Sequence, residues 1–312
     1  MIEMSCRAKA IVTLIVIAPI LTEIVSGNTP LHALFHPATS LFLIAAYSLP
    51  LLAIRETSIR WRLRPTGVFV LGLAYGILNE GLLAQTLLRR ENVPISTFDH
   101  YAYAAGINFS WAAVIVPWHA LMAVCFPLAL LAAWFPACAG ARWLNRATFA
   151  ITVTILGLGI CFVALARQPH VQMRIFLLAI VLLIGAARIF RERRPGDWWR
   201  PSRRTAAFVL GFVFYTVFFL GAILLAAVRP PTAIFFIAVA GLLAGFGWLA
   251  RRNQLDVPPE SAHVALGSYL VASLFSIAGG IAHHSIEAIV VGTLLACTFA
   301  WLASVPKVFV TM

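Results

Sequence analysis

Gly72-Leu-Ala-Tyr-Gly-Ile-Leu-Asn-Glu-Gly-Leu-Leu-Ala84 is the stretch whose reading decides the fold. Gly72, Gly76, Glu80 and Ala84 fall four residues apart. On a helix they form one narrow stripe of small side chains with a carboxyl group inside it. Small residues let a second helix approach closely. A carboxyl group in an apolar run is costly, and its default reading is a functional site.

The rest of the chain says what surrounds that helix. Of 312 residues, 62% are hydrophobic and 11% charged, with a mean hydropathy of +0.93. Such a composition excludes a water-soluble domain and predicts an all-α, polytopic membrane bundle. Ten apolar spans are expected, at about 10–25, 39–54, 66–88, 108–135, 147–166, 174–190, 205–228, 231–250, 263–282 and 285–305. No loop has room for a soluble domain, so residues 1–312 read as one transmembrane domain. A polar-site half covers about 1–140 and a second helical half about 141–312. The five cysteines are scattered without a C-x-x-C, which predicts neither a disulfide framework nor a zinc site.

The net charge of +12 concentrates at span ends, so it sets orientation rather than marking a nucleic-acid surface. With ten spans, 18 of the 23 Lys and Arg residues fall on the side that holds both termini. The positive-inside rule makes that side cytoplasmic, in a prokaryotic plasma membrane. Arg55-Glu56 reads as an interfacial pair whose arginine snorkels. The arginine-rich 188–204 loop suits anionic headgroups, although orientation alone explains it. Gly241-x-x-x-Gly245 reads as helix packing, like Gly72-x-x-x-Gly76.

The chemistry-bearing candidates are Asn79, Glu80, Asn108 and His119. Glu80 lies eight residues before the expected outer end of the third span, about 12 Å down at the helical rise. His119 lies eleven residues into the fourth, about 16 Å down by the same rise. Sequential spans tend to be neighbours, so the two groups are expected to meet. Asn108 shares the His119 face three turns away, and Pro117 should open a nearby carbonyl. A buried glutamate with a histidine in reach suits acid–base work, whereas a protonated Glu80 that merely ties two helices is the bland alternative. His32, His36, His100, His170, His283 and His284 fall on the outer side with no tight ligand spacing, so the metal and cofactor question stays open. His283 and Glu287 are spaced as an i, i+4 pair.

The order Glu23-x-x-Ser-Gly-x-Thr-Pro30, Arg55-Glu56, Tyr75-Gly-Ile-Leu-Asn-Glu-Gly81, Gly106-Ile-Asn-Phe-Ser-Trp111 and His119-Ala120 resembles a group of prokaryotic multispan proteins with no assigned activity. Their pattern is E-E-G, G-V-N-W and H-A. Here Asn79 replaces the first Glu and Phe109 replaces Trp. More distantly, a Glu-bearing span followed by a His-bearing one resembles the CPBP intramembrane proteases (the CAAX-protease and bacteriocin-processing family). Their pattern is E-E-x-x-x-R, F-x-x-x-H and H-x-x-x-N. That resemblance implies Glu80 as general base and His119 as the second-motif histidine. Ile115 stands where Phe is expected and Ala84, beside Gln85, where Arg is expected. His170 with Arg174, or His283 with Glu287, would have to serve as the third motif.

Three classes therefore remain. One is a CPBP-like intramembrane hydrolase. The second is a proton- or cation-linked transporter or permease. The third is a non-catalytic membrane protein. The lipid bilayer is the expected partner, and a peptide or small molecule the open substrate class.

Overall fold

The computed structural model describes residues 5–166, 171–191, 203–255 and 259–305. Among them, nine helices are long and apolar enough to cross a membrane. They are Pro37–Trp61, Pro65–Leu83, Phe109–Trp134, Arg146–Val163, Gln172–Phe190, Arg204–Val228, Thr232–Arg252, Glu260–Ala282 and Ile286–Ser304. A further apolar helix precedes them, Cys6–Pro19 continued by Ile20–Ile24, and it carries Arg7, Lys9 and Glu23. Each matches one expected span, and they are numbered here first to tenth. His170 and the arginine-rich stretch 192–202 lie outside the described residues.

The connections meet as an alternating bundle requires. At one end the Tyr101 hydroxyl donates to the Pro230 carbonyl at 2.8 Å, and burial pushes the Tyr101 phenol pKa up. At that end, too, His32 Nδ1 meets Glu287 Oε2 at 2.7 Å. At the other end the Arg64 amide donates to the Phe190 carbonyl at 2.9 Å, and Cys6 is bonded to Cys138. The fourth helix is the hub and is almost wholly buried, whereas the fifth is almost wholly exposed.

Each of the first four helices opens a wide turn, with backbone bonds from residue i to i−5. The turns are Ile20–Ile24, Ile44–Ser48, Leu78–Leu83 and His119–Cys125. Prolines beside three of them leave carbonyls without an amide partner. Pro19 cannot pair Ile15, and the Ser48 hydroxyl donates there at 2.9 Å. Pro50 cannot pair Ala46, and the Tyr75 hydroxyl takes that place at 2.9 Å. Pro127 would complete the ladder to Met122, and the Tyr269 hydroxyl donates instead at 2.5 Å. In lipid an unpaired carbonyl is expensive, so each proline becomes a tie between helices.

Several expectations are corrected. The third helix ends at Leu83 rather than at 88, because its wide turn runs into Gln85 in the left-handed region, with φ at 58°. The chain then caps the bundle through a two-residue hairpin pairing Tyr103 with Asn108 and Ala104 with Ile107, turned at Ala105 and Gly106, both at positive φ. Cys6 and Cys138 form a disulfide across 132 residues, a pairing that local spacing cannot reveal. Arg55 and Glu56 do not snorkel but are buried, at 4% and 0% exposure. The Gly241–Gly245 stripe has nothing within 4 Å among the described residues. The Gly72–Gly76 stripe does pack: an added Cβ would stand 2.7 Å from the Ala120 Cα and 2.7 Å from the Val116 carbonyl oxygen.

Candidate functional site

Each of the wide turns in the first four helices presents a polar residue, and a further one, Thr216–Leu220, lies in the seventh helix. The first holds Glu23, the second Tyr47, the third Asn79 and Glu80, and the fourth begins at His119. A wide turn adds one residue to the helical cycle and swings its side chains out of the regular register; such turns recur at functional sites.

Glu80 and His119 meet. Nε2 of His119 lies 3.5 Å from Oε1 of Glu80, with the residues 3% and 8% exposed. The His119 Nδ1–H donates to the Ile115 carbonyl at 3.1 Å, which leaves Nε2 turned to the carboxyl group. Thr86 donates its hydroxyl to the other carboxyl oxygen of Glu80. Trp111 Nε1 in turn donates to the Thr86 oxygen at 3.0 Å, so the hydroxyl is held from both sides. The Trp118 ring meets the imidazole at a 5.1 Å centroid distance, and the Tyr75 ring does so at 5.9 Å.

The depths agree for a reason the sequence did not supply. Glu80 sits only three residues before the end of its helix. The fourth helix is longer, 26 residues against 19, and rises past it. Residues 84–108 fold down over the short helix and bring Thr86 onto the carboxyl group.

Asn79 faces elsewhere. Its amide donates to the Tyr75 hydroxyl at 3.0 Å, beside Tyr47. Tyr47 donates to Glu23, whose second oxygen accepts from Thr29 at 2.6 Å. A second carboxyl group therefore lies on a hydrogen-bonded arm beside the first. Asn108 is fully buried but organises the cap. It accepts from the Trp111 amide at 3.0 Å and from Ser110 at 2.9 Å, and donates to the Phe98 carbonyl at 3.0 Å. It touches the pair only through Trp111 and Thr86.

Tyr47, Tyr75, Thr86 and Trp111 were not singled out as site residues. Thr86 lies past the true end of the third helix at Leu83, so a span drawn to 88 hides it. Tyr47 carries a usable signal, a hydroxyl three residues before Pro50 in an apolar run, and Tyr75 stands in the glycine-striped stretch itself.

A depression of about 530 Å³ opens beyond the end of the third helix, lined by Ala84, Gln85, Leu88, Arg89, Tyr103, Gly106 and Gln172. It starts one turn past Glu80. Among the described residues no three His, Cys, Asp or Glu side chains converge as metal ligands. His32 pairs with Glu287, so His283 is not that residue's partner, and His100 accepts from Arg90 at 3.1 Å. Chemically, the pair can take up, hold and return one proton at Glu80, with His119 fixing the carboxyl group's orientation.

The chain belongs to an uncharacterized membrane protein family, whose model matches residues 12–311. No curated protein and no solved structure matches it.

Proposed function

We propose that this member of the family is an intramembrane hydrolase with CPBP-like chemistry, in which Glu80 is the general base and His119 its orienting partner. The 3.5 Å approach of the two side chains, on helices pressed together at Gly72 and Gly76, carries the reading. Helices in backbone contact cannot slide apart cheaply, so the pair is preorganised as catalysis requires. In the reaction, water gives a proton to Glu80 and its oxygen attacks the substrate carbonyl carbon. The C–N bond then breaks, and the proton passes from Glu80 to the departing nitrogen. The 530 Å³ depression, which begins at Ala84, is the side from which a substrate would enter.

The test is hydrolysis in heavy-oxygen water by membranes containing the protein. New peptide C-termini should carry the label, and Glu80→Gln should remove them. No label above that of membranes lacking the protein would sink the hydrolase. A second reading, a proton-linked carrier, draws on the Glu23–Tyr47 arm, since two carboxyl groups on adjoining hydrogen-bonded arms suit proton uptake and release. It predicts proton-coupled flux lost in both Glu23→Gln and Glu80→Gln, with no labelled termini.

The arginine-rich face, with both termini, is taken as cytoplasmic in a prokaryotic plasma membrane. The Cys6–Cys138 pair then stands in a reducing compartment, where such bonds are transient. Both thiols should be open to alkylation in growing cells. A pair that stays oxidised there would put that face outside.

A further inference from the structure

On the arginine-rich face, the start of the first helix and the turn before the fifth helix enclose a depression of about 520 Å³. Arg7, Arg142, Trp143, Leu144, Asn145 and Thr148 line it. Two of these are arginines 135 positions apart in sequence, and no lining residue carries a carboxyl group. Among the described residues neither guanidinium makes a hydrogen bond or an ion pair. Glu56, the carboxyl group that accepts from the Trp143 amide, is fully buried and already engaged by Arg55 at 2.5 Å and Arg60 at 3.5 Å. Arg7 also lies close enough to Arg55 for the two charges to repel. Among the described residues, the positive charge lining the depression is thus left unbalanced.

The walls, by contrast, are fixed. When oxidised, the Cys6–Cys138 pair joins the residue before Arg7 to the turn that carries Arg142, and the following ties hold the walls without it. The Trp143 ring is held by its Nε1–H to the Cys138 carbonyl at 2.9 Å, and the Arg55 guanidinium lies 3.7 Å above it. The Trp143 amide donates to Glu56 at 2.7 Å. Asn145 caps the fifth helix, accepting from the Thr148 amide at 2.8 Å, so the backbone there is spoken for and the arginines are not. Arginines placed only to set orientation need no such frame, since that role depends on side and number rather than on convergence.

We infer that Arg7 and Arg142 form a binding site for a phosphate group. Each guanidinium offers forked donors that match phosphate oxygens, and the two reach the same depression from elements far apart in sequence. The phosphate can come from a lipid headgroup or from a soluble anion, and the same arginines would hold either.

The experiment uses the purified full-length protein in non-ionic detergent at low salt. One arm titrates inorganic phosphate by calorimetry. The other measures phosphatidylglycerol against phosphatidylcholine retained in native mass spectrometry. Binding in the phosphate arm alone identifies a soluble anion, and retention of phosphatidylglycerol alone identifies a headgroup; either supports the site. Arg7→Gln and Arg142→Gln should each weaken that binding about tenfold, the loss of one charge-assisted contact. Arg142→Lys should lose less, and Arg251→Gln, an exposed arginine outside the depression, should change nothing. Equal weakening by Arg251→Gln would reduce the effect to general surface charge and overturn the site. Absence of binding in both arms would overturn it as well.

Discussion

Two buried carboxyl groups lie at opposite ends of the same four helices, and their surroundings differ. Glu56 is fully buried on the arginine-rich face. One of its oxygens takes Arg55 and the Trp143 amide, and Arg60 stands 3.5 Å from the other. Arg55 and Arg60 then reach the carbonyls of Ala139, Ala141 and Leu144. The Trp143 amide bond and the three carbonyl bonds hold the turn between the fourth and fifth helices. Glu80, at the other end, has one hydroxyl and one imidazole at 3.5 Å, no permanent cation and a depression one turn away. A carboxyl group wired to many backbone atoms is a strut. One with few partners, facing a histidine, is free to exchange a proton.

That contrast can be broken from either side. Glu56→Ala strands the buried Arg55 guanidinium and removes the anion beside the half-buried Arg60, and it should cost the most, about 3–5 kcal/mol, read by thermal unfolding in detergent. Cys6→Ser, which opens the long loop to Cys138, should cost about 2–4 kcal/mol against the oxidised protein in the same assay. Gly76→Ala places a methyl group 2.7 Å from the Val116 carbonyl oxygen and should cost about 2 kcal/mol. It should also spread the third and fourth helices and lower any Glu80-dependent activity with them. Tyr75→Phe leaves the Ala46 carbonyl that Pro50 opened without its donor; about 1 kcal/mol is expected, measured in the same way. Smallest is Glu80→Gln, which keeps an acceptor for Thr86 and should stay within about 1 kcal/mol of the parent. If Glu80→Gln proved as damaging as Glu56→Ala, the contrast between strut and site would collapse.

The sequence disclosed the helices far better than their interruptions. Span limits such as 205–228 and 231–250 follow from hydropathy over some twenty residues, and the helices Arg204–Val228 and Thr232–Arg252 lie within two residues of them. The meeting of Glu80 with His119 was also readable, from a carboxyl group and an imidazole at matching depth in consecutive spans. The route to it was not. Residue spacing assumes a regular helix, and a wide turn such as Leu78–Leu83 adds a residue without changing hydropathy. The same blindness hid Thr86, which lies past the true helix end, and Tyr47, which acts through a helix distant in sequence. Arg55 and Glu56 misled for another reason. A charged pair at a span end normally reaches water, and only the Cys138–Asn145 turn folding over it makes burial tolerable.

The most direct test of the central claim puts stability and chemistry of one variant side by side. Purified Glu80→Gln and parent protein are reconstituted in the same lipid, and unfolding is measured together with labelled peptide termini formed in heavy-oxygen water. The account predicts nearly unchanged unfolding with loss of all labelled termini. A variant that folds as well as the parent and still forms them at the parent's rate would contradict Glu80 as the base.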